Sequence, residues 1–212
     1  MNNWTDGFRR GDHAIHVYQT DSEHDKAVLD LIAWRRDNEK LICLSDKWSH
    51  SLKAGDGFPT IGHLKSDIDD GRVELRPSYP SYCPGGKFKG SGMYGLWEKT
   101  YDDAIDQGYN GLVVVGDISW LGVHRSILPS FMRYEQGIDF ARLPRNLTIL
   151  CQYDKRLFTS DQIGLAERAH QLRLSAGRLD RNHWFILRST AGADYSSEAL
   201  KRPSVISESF MK

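Results

Sequence analysis

Glycines beside a lysine are the usual makings of a phosphate site, and this sequence offers Gly85-Gly86-Lys87. The motif G-x-x-x-x-G-K-[ST] needs a glycine where Ser81 stands and a hydroxyl where Phe88 stands, so the match fails at both ends. Val113-Val114-Val115-Gly116-Asp117 has the form of a buried strand ending in an aspartate, as in nucleotide hydrolases, but it stands here without a phosphate loop. The loop expected after the first strand, Gln19 to Glu23, has no glycine and carries two carboxylates that would repel a triphosphate. His13 and His16 are three apart in an extended run, where they point to opposite faces and cannot chelate one ion. There is no C-x-x-C, H-E-x-x-H or G-x-S-x-G, and Cys43, Cys83 and Cys151 fall on or near three separate elements. Pairing of Cys151 with His13 or His170 would have to be made by the fold. These residues imply no metal, no cofactor and no catalytic residue, although distant metal ligands could still converge in the fold.

A second kind of chemistry fits better. The ends of the expected strands are rich in rings: Tyr18, Tyr79, Tyr82, Trp120 and Tyr153. Asp46, Asp117 and Asp154 stand close by, with Glu135 following Tyr134 on a helix. Apolar walls with a few placed polar groups describe a small-molecule site. The plainer reading is that the rings fill the core while the carboxylates cap helices or pair with Arg125, Arg156 or Arg168.

Those positions depend on the elements that carry them. His13 to Tyr18, Leu41 to Leu44, Arg72 to Arg76, Leu112 to Val115, Leu147 to Leu150 and Trp184 to Leu187 read as strands. Thr20-x-x-Glu23 and Thr159-x-x-Gln162 have the form of capping boxes, the second opening a helix through Leu174. Other helical segments are Ile61 to Asp69, the stripe Tyr94, Trp97, Tyr101, Ala104, Ile105, and the stripe Ile127, Phe131, Tyr134, Ile138, capped by Ser126 with Pro129 in its first turn. Pro77 to Gly92 reads as a loop rich in proline and glycine. The alternation predicts an α/β fold of three layers, α/β/α, around a mostly parallel central sheet. In such sheets ligands sit beyond the carboxyl ends of the strands.

The whole-chain numbers agree with this picture. Over 212 residues, 28 basic and 28 acidic side chains cancel, which leaves no electrostatic footprint for nucleic acid or an anionic membrane. No apolar run approaches the roughly 18–20 residues that cross a bilayer. The first eleven residues lack a signal-peptide core, and three scattered cysteines suit a reducing cytoplasm. The globular part is expected over residues 1–188. Residues 189–212 hold six serines and read as a tail that is flexible or docks on a partner.

Several of these residues together resemble a known family, the methanogen/methylotroph, DcmR sensory (MEDS) domain. Gly11-Asp12-His13-Ala14-Ile15 with Tyr18 is similar to its G-D-H-I opening, and Met93 with Trp97 to its M-x-x-x-W helix. Gly116-Asp117-Ile118-Ser119-Trp120 is similar to its G-E-M-S-W signature, with aspartate for glutamate. Tyr134-Glu135, Cys151-Gln152-Tyr153-Asp154 and Phe158 match further motifs. His170 and Asn182 fall where the family has T-H-P and N-P, here without either proline.

The resemblance covers about Gly11 to Leu187. It implies a RecA/KaiC-like fold that has lost its Walker A loop, and a cytoplasmic sensor of simple hydrocarbon derivatives in prokaryotic signal transduction. On this reading the ligand contacts are His13, Tyr18, Trp97, Asp117, Trp120, Glu135, Cys151, Tyr153, Asp154 and His170, with Gly85 to Gly92 as the moving loop. No segment suits a fused output module, so the expected partner is a signalling protein on a separate chain, or a second copy. Two other readings stand beside it: a nucleotide-binding protein or ATPase using Asp117 and Glu135, and an interaction scaffold working through the serine-rich tail.

Overall fold

Each short apolar run becomes a strand and each amphipathic segment a helix. The computed structural model describes residues 4–35, 38–48, 64–141, 143–183 and 185. Along the chain these form β1 (His13–Tyr18), α1 (Asp21–Trp34), β2 (Lys40–Leu44), α2 (Leu64–Asp69), β3 (Val73–Arg76), α3 (Ser78–Tyr82), α4 (Gly90–Asp106), β4 (Leu112–Asp117), α5 (Leu128–Ile138), β5 (Leu147–Asp154), α6 (Ser160–Arg168), β6 (Leu172–Ser175) and β7 (Arg178–Arg181). They build one sheet in the order β3-β2-β4-β5-β1-β6-β7, parallel throughout except for the last pair. The expected α/β fold with a mostly parallel central sheet is therefore present.

The two middle strands explain the hydrophobic pattern. Every residue of β4 and β5 is buried, as a parallel sheet covered on both faces requires. On one face Ile15, Ile42, Val114, Ile149, Cys151 and Tyr153 pack under α4, α5 and α6. On the other, Ala14, Leu41, Cys43, Val113, Val115 and Leu150 pack under α1, α2 and the N-terminal Trp4 and Phe8. Both capping boxes form, at Thr20 with Glu23 and at Thr159 with Gln162.

Four expectations change. The helix from Thr159 ends at Arg168, and Leu172 and Leu174 instead enter a two-stranded hairpin with β7. Its turn is Ala176-Gly177, both at positive φ (50° and 72°), a geometry usually announced by Asn-Gly and concealed here by alanine. Ser126 does not cap α5; it lies in a 3-10 turn, Arg125–Ile127, although Pro129 does occupy the first turn of the helix. The stretch from Pro77 to Gly92 is not all loop, since α3 and a 3-10 turn at Pro84–Gly86 interrupt it and α4 already starts at Gly90. Finally, the last described strand is β7. Of the strand expected at Trp184–Leu187 only Phe185 is described, and its backbone is helical. Residues 61–63 of the expected Ile61–Asp69 helix and the whole tail 189–212 lie outside the described residues.

Candidate functional site

Alternation along β1 sends His13 and His16 to opposite faces of the sheet, and each nucleates a different polar group. On the α5 face, His13 lies over Cys151 of β5, with Nε2 3.7 Å from Sγ. The register that pairs Ile15 with Cys151 puts the two side chains on one side. Glu135 reaches down from α5, its Oε2 3.5 Å from His13 Nε2 and its Oε1 3.7 Å from Cys151 Sγ. One helical turn later Asp139 faces the other ring nitrogen of His13 at 3.3 Å. His170, just past α6, closes the group with Nε2 3.0 Å from Glu135 Oε2. Its Nδ1 donates to the Ala166 carbonyl at 2.7 Å. His13, Glu135, Cys151 and His170 are all buried, and one nitrogen, sulfur or oxygen atom from each lies within 4.8 Å of the others.

Burial and mutual charge polarise this group. Burial alone would raise the Glu135 carboxyl, but His13 and His170 hold it down at about 2. Burial opposes charge on His13, yet Asp139, Cys151 and Glu135 raise it well above the ordinary histidine value. His170 is lowered by burial and by the neighbouring His13. Burial and the Glu135 charge push the Cys151 thiol up to about 12. Two imidazoles, a thiol and a carboxylate therefore converge where water does not reach.

The α1 face carries a different arrangement. Gln152 donates to His16 Nδ1 and to the His24 carbonyl, both at 3.1 Å. His24 Nδ1 meets Asp25 at 2.9 Å, and Trp48 donates its indole N–H to the same carboxylate at 2.8 Å. Asp117 accepts from the Ser119 amide and hydroxyl at 3.0 and 2.6 Å, with the Tyr18 hydroxyl 2.9 Å from Ser119 Oγ. Asp154 is occupied by Arg156, which forks onto both its oxygens and continues to Asp21. Only two residues, Gln19 and Thr20, separate β1 from α1. Their amides donate to the Glu23 carboxylate at 2.7 and 3.1 Å. An anion is already in the place where a phosphate would be held.

A family model described as "MEthanogen/methylotroph, DcmR Sensory domain" matches residues 12–171. The chain belongs to the MEDS family. A solved structure from Pyrococcus horikoshii OT3 is similar over 84% of this chain and 88% of its own, at 13% identity and a TM-score of 0.46. No curated protein matches the sequence.

The MEDS motifs now acquire physical reasons. Gly116 precedes Asp117 because a Cβ there would sit 2.1 Å from the Tyr82 hydroxyl. Trp97 of the M-x-x-x-W helix donates to the Tyr134 hydroxyl at 2.6 Å, so α4 is tied to α5 beside Glu135. Asn182 donates to the carbonyls of Glu167 and His170, the latter at 2.9 Å, and so fixes the backbone that presents His170.

The ten expected ligand contacts divide between the faces. His13, Glu135, Cys151 and His170 converge, with Tyr153, Trp97 and Trp120 in the core on the same side. Tyr18, Asp117 and Asp154 belong to the opposite network. Asp117 and Glu135, paired in the nucleotide-binding alternative, thus lie on opposite faces of the sheet.

The rings expected to line a hollow also pack on one another. Trp120 stacks on Tyr82 at 5.5 Å and meets Phe131 edge-on at 5.6 Å, while Tyr153 meets Phe158 edge-on at 5.4 Å. The sequence reading missed Asp139, His24 and Gln152. Asp139 alone carried a signal, standing four residues after Glu135 on one helical face.

Proposed function

We propose that this MEDS domain is a non-catalytic sensor that takes a small organic molecule, of the size of a one-carbon or halogenated hydrocarbon derivative, into its aromatic layer on the α5 side. It would pass the change to a signalling protein on another chain. One observation carries this reading: Trp120 Nε1 and the Tyr153 hydroxyl are both buried without a hydrogen-bond partner among the described residues. Each unmet donor costs about 1–3 kcal/mol of desolvation, which a ligand oxygen, nitrogen or halogen would recover. The rings around them supply the apolar contact that a hydrocarbon skeleton needs. Since they are packed together, ligand entry requires them to part. Tyr79 and Tyr82 on α3, with Phe88 just before α4, are the pieces that can part. Such a ligand acts as a switch only because it favours the parted arrangement over the packed one.

The test is thermal unfolding with methanol, methylamine and dichloromethane, each against ATP with Mg²⁺. A ligand present at a hundred times its Kd adds about 2.7 kcal/mol. For a chain of this length that raises Tm by roughly 5–10 °C. Tyr153→Phe keeps its ring and Trp120→Phe keeps a smaller aromatic one; both remove the donor and should abolish the shift. No shift with any small compound, or a shift with ATP, overturns the proposal.

A further inference from the structure

We infer that His13, Glu135, Cys151 and His170 form a closed four-ligand site for a thiophilic divalent transition metal, of which Zn²⁺ is the best match. His170 Nδ1 must carry the ring proton, because its partner is the Ala166 carbonyl and a carbonyl only accepts. In the neutral ring Nε2 is then a bare lone pair, yet it faces a carboxylate oxygen of Glu135 at 3.0 Å. Both atoms are buried and neither has a hydrogen-bond partner among the described residues. His13 turns Nδ1 to Asp139 and Nε2 to Glu135 and Cys151. A lone pair and a carboxylate that face one another in a dry interior repel unless a proton or a metal ion lies between them.

Size and donor type narrow that charge. Zinc bonds of about 2.0–2.3 Å arranged as a tetrahedron separate the ligand atoms by roughly 3.3–3.7 Å. Four of the contacts here run from 3.0 to 3.7 Å, and the whole donor set lies within 4.8 Å. Two imidazoles with a thiolate select zinc and its transition-metal neighbours over Mg²⁺ and Ca²⁺, which take oxygen sets. The supporting contacts are those of metal-bound histidines, one ring backed by a carboxylate and the other by a backbone carbonyl. Because four protein groups fill a tetrahedron, no position is left for substrate, which marks a structural ion. On binding, the Cys151 thiol gives up its proton to solvent and its sulfur bonds the ion; nothing is oxidised. The ion would join β1, α5, β5 and the residues after α6, four elements far apart in the chain.

The experiment uses the full chain purified without chelators. Metal analysis should find about one Zn²⁺ per chain, retained through dialysis. After exchange for Co²⁺, the protein should show the visible bands of tetrahedral cobalt and a near-ultraviolet thiolate-to-cobalt band. Cys151→Ser should lose the near-ultraviolet band, and Asp139→Asn should weaken metal affinity about 10–100-fold. If either variant fails to fold, the wild-type cobalt spectrum still decides. Folded wild type that neither retains Zn²⁺ nor develops these bands with added Co²⁺ overturns the inference. The readout needs no organic ligand, so its failure is distinct from failure of the sensory proposal.

Discussion

On the α1 side of the sheet, buried polar side chains find one another through protons. Gln152 donates to His16 and to the His24 carbonyl, His24 meets Asp25, and Ser119 donates to Asp117, all at 2.6–3.1 Å. On the α5 side, two imidazoles, a thiol and two carboxylates crowd together at 3.0–3.7 Å. The backbone is common to both, since His13 and His16 share one strand and Cys151 and Gln152 are neighbours. What differs is chemistry alone. Both faces keep buried atoms without a hydrogen-bond partner among the described residues: His24 Nε2 and Gln152 Oε1 on the first, His13 Nδ1, Glu135 Oε2 and His170 Nε2 on the second.

The sharpest way to break that contrast is to remove one carboxylate from each face and compare. Glu135→Ala leaves buried histidines uncompensated and should cost roughly 3–5 kcal/mol in urea unfolding. Asp117→Ala should cost less, about 1–3 kcal/mol, because Ser119 and Tyr18 keep each other. Equal losses would mean that the two faces are built alike.

The faces should also separate by pH. Burial, with His24 nearby, lowers His16 to about 4, so the unfolded chain takes up a proton that the folded chain refuses. Stability from this source is whole above the unfolded value near 6.5 and falls as pH drops towards 4. The loss is on the order of 3 kcal/mol. On the α5 face the histidines shift in opposite senses: His170, lowered, also loses stability as pH falls, whereas His13, raised, loses it as pH rises through its folded value. Unfolding measured between pH 4.5 and 6.5 should therefore flatten in His16→Gln. A slope that survives would assign the effect to the other face.

Smaller effects test how each face is held. Gly116→Ala forces the Tyr82 hydroxyl aside and should cost about 1–3 kcal/mol, much of it recovered in the double variant with Tyr82→Phe. Thr20→Ala and Thr159→Ala, the caps of α1 and α6 on opposite faces, should each cost about 1 kcal/mol in thermal melts. No difference between the caps is expected, so any inequality would show that one face depends more on its helix than the other.

The sequence displayed local rules well and distant meetings badly. Both capping boxes, the apolar β2 and β4 runs and the failed phosphate motif were readable because each depends on neighbours in the chain. The β6–β7 hairpin was hidden by an alanine in a turn conformation that alanine seldom adopts. The convergence of His13, Glu135, Cys151 and His170 had no local signature, although each was named by its position or by its family motif. Their meeting depends on register across β1 and β5 and on which turn of α5 descends onto them. His13 and His16 point to opposite faces as their spacing requires, whereas residues that converge from distant elements leave no spacing to read.

The hold of Asn182 on the carbonyls of Glu167 and His170 has a mechanical reading. Asn182 follows directly on β7, whose residues lie mostly at the surface. A tug on that outermost ribbon travels one side chain inward before it reaches an imidazole at the centre of the molecule. The hairpin is in that sense a handle, with its far end resting on the most sheltered chemistry the chain possesses.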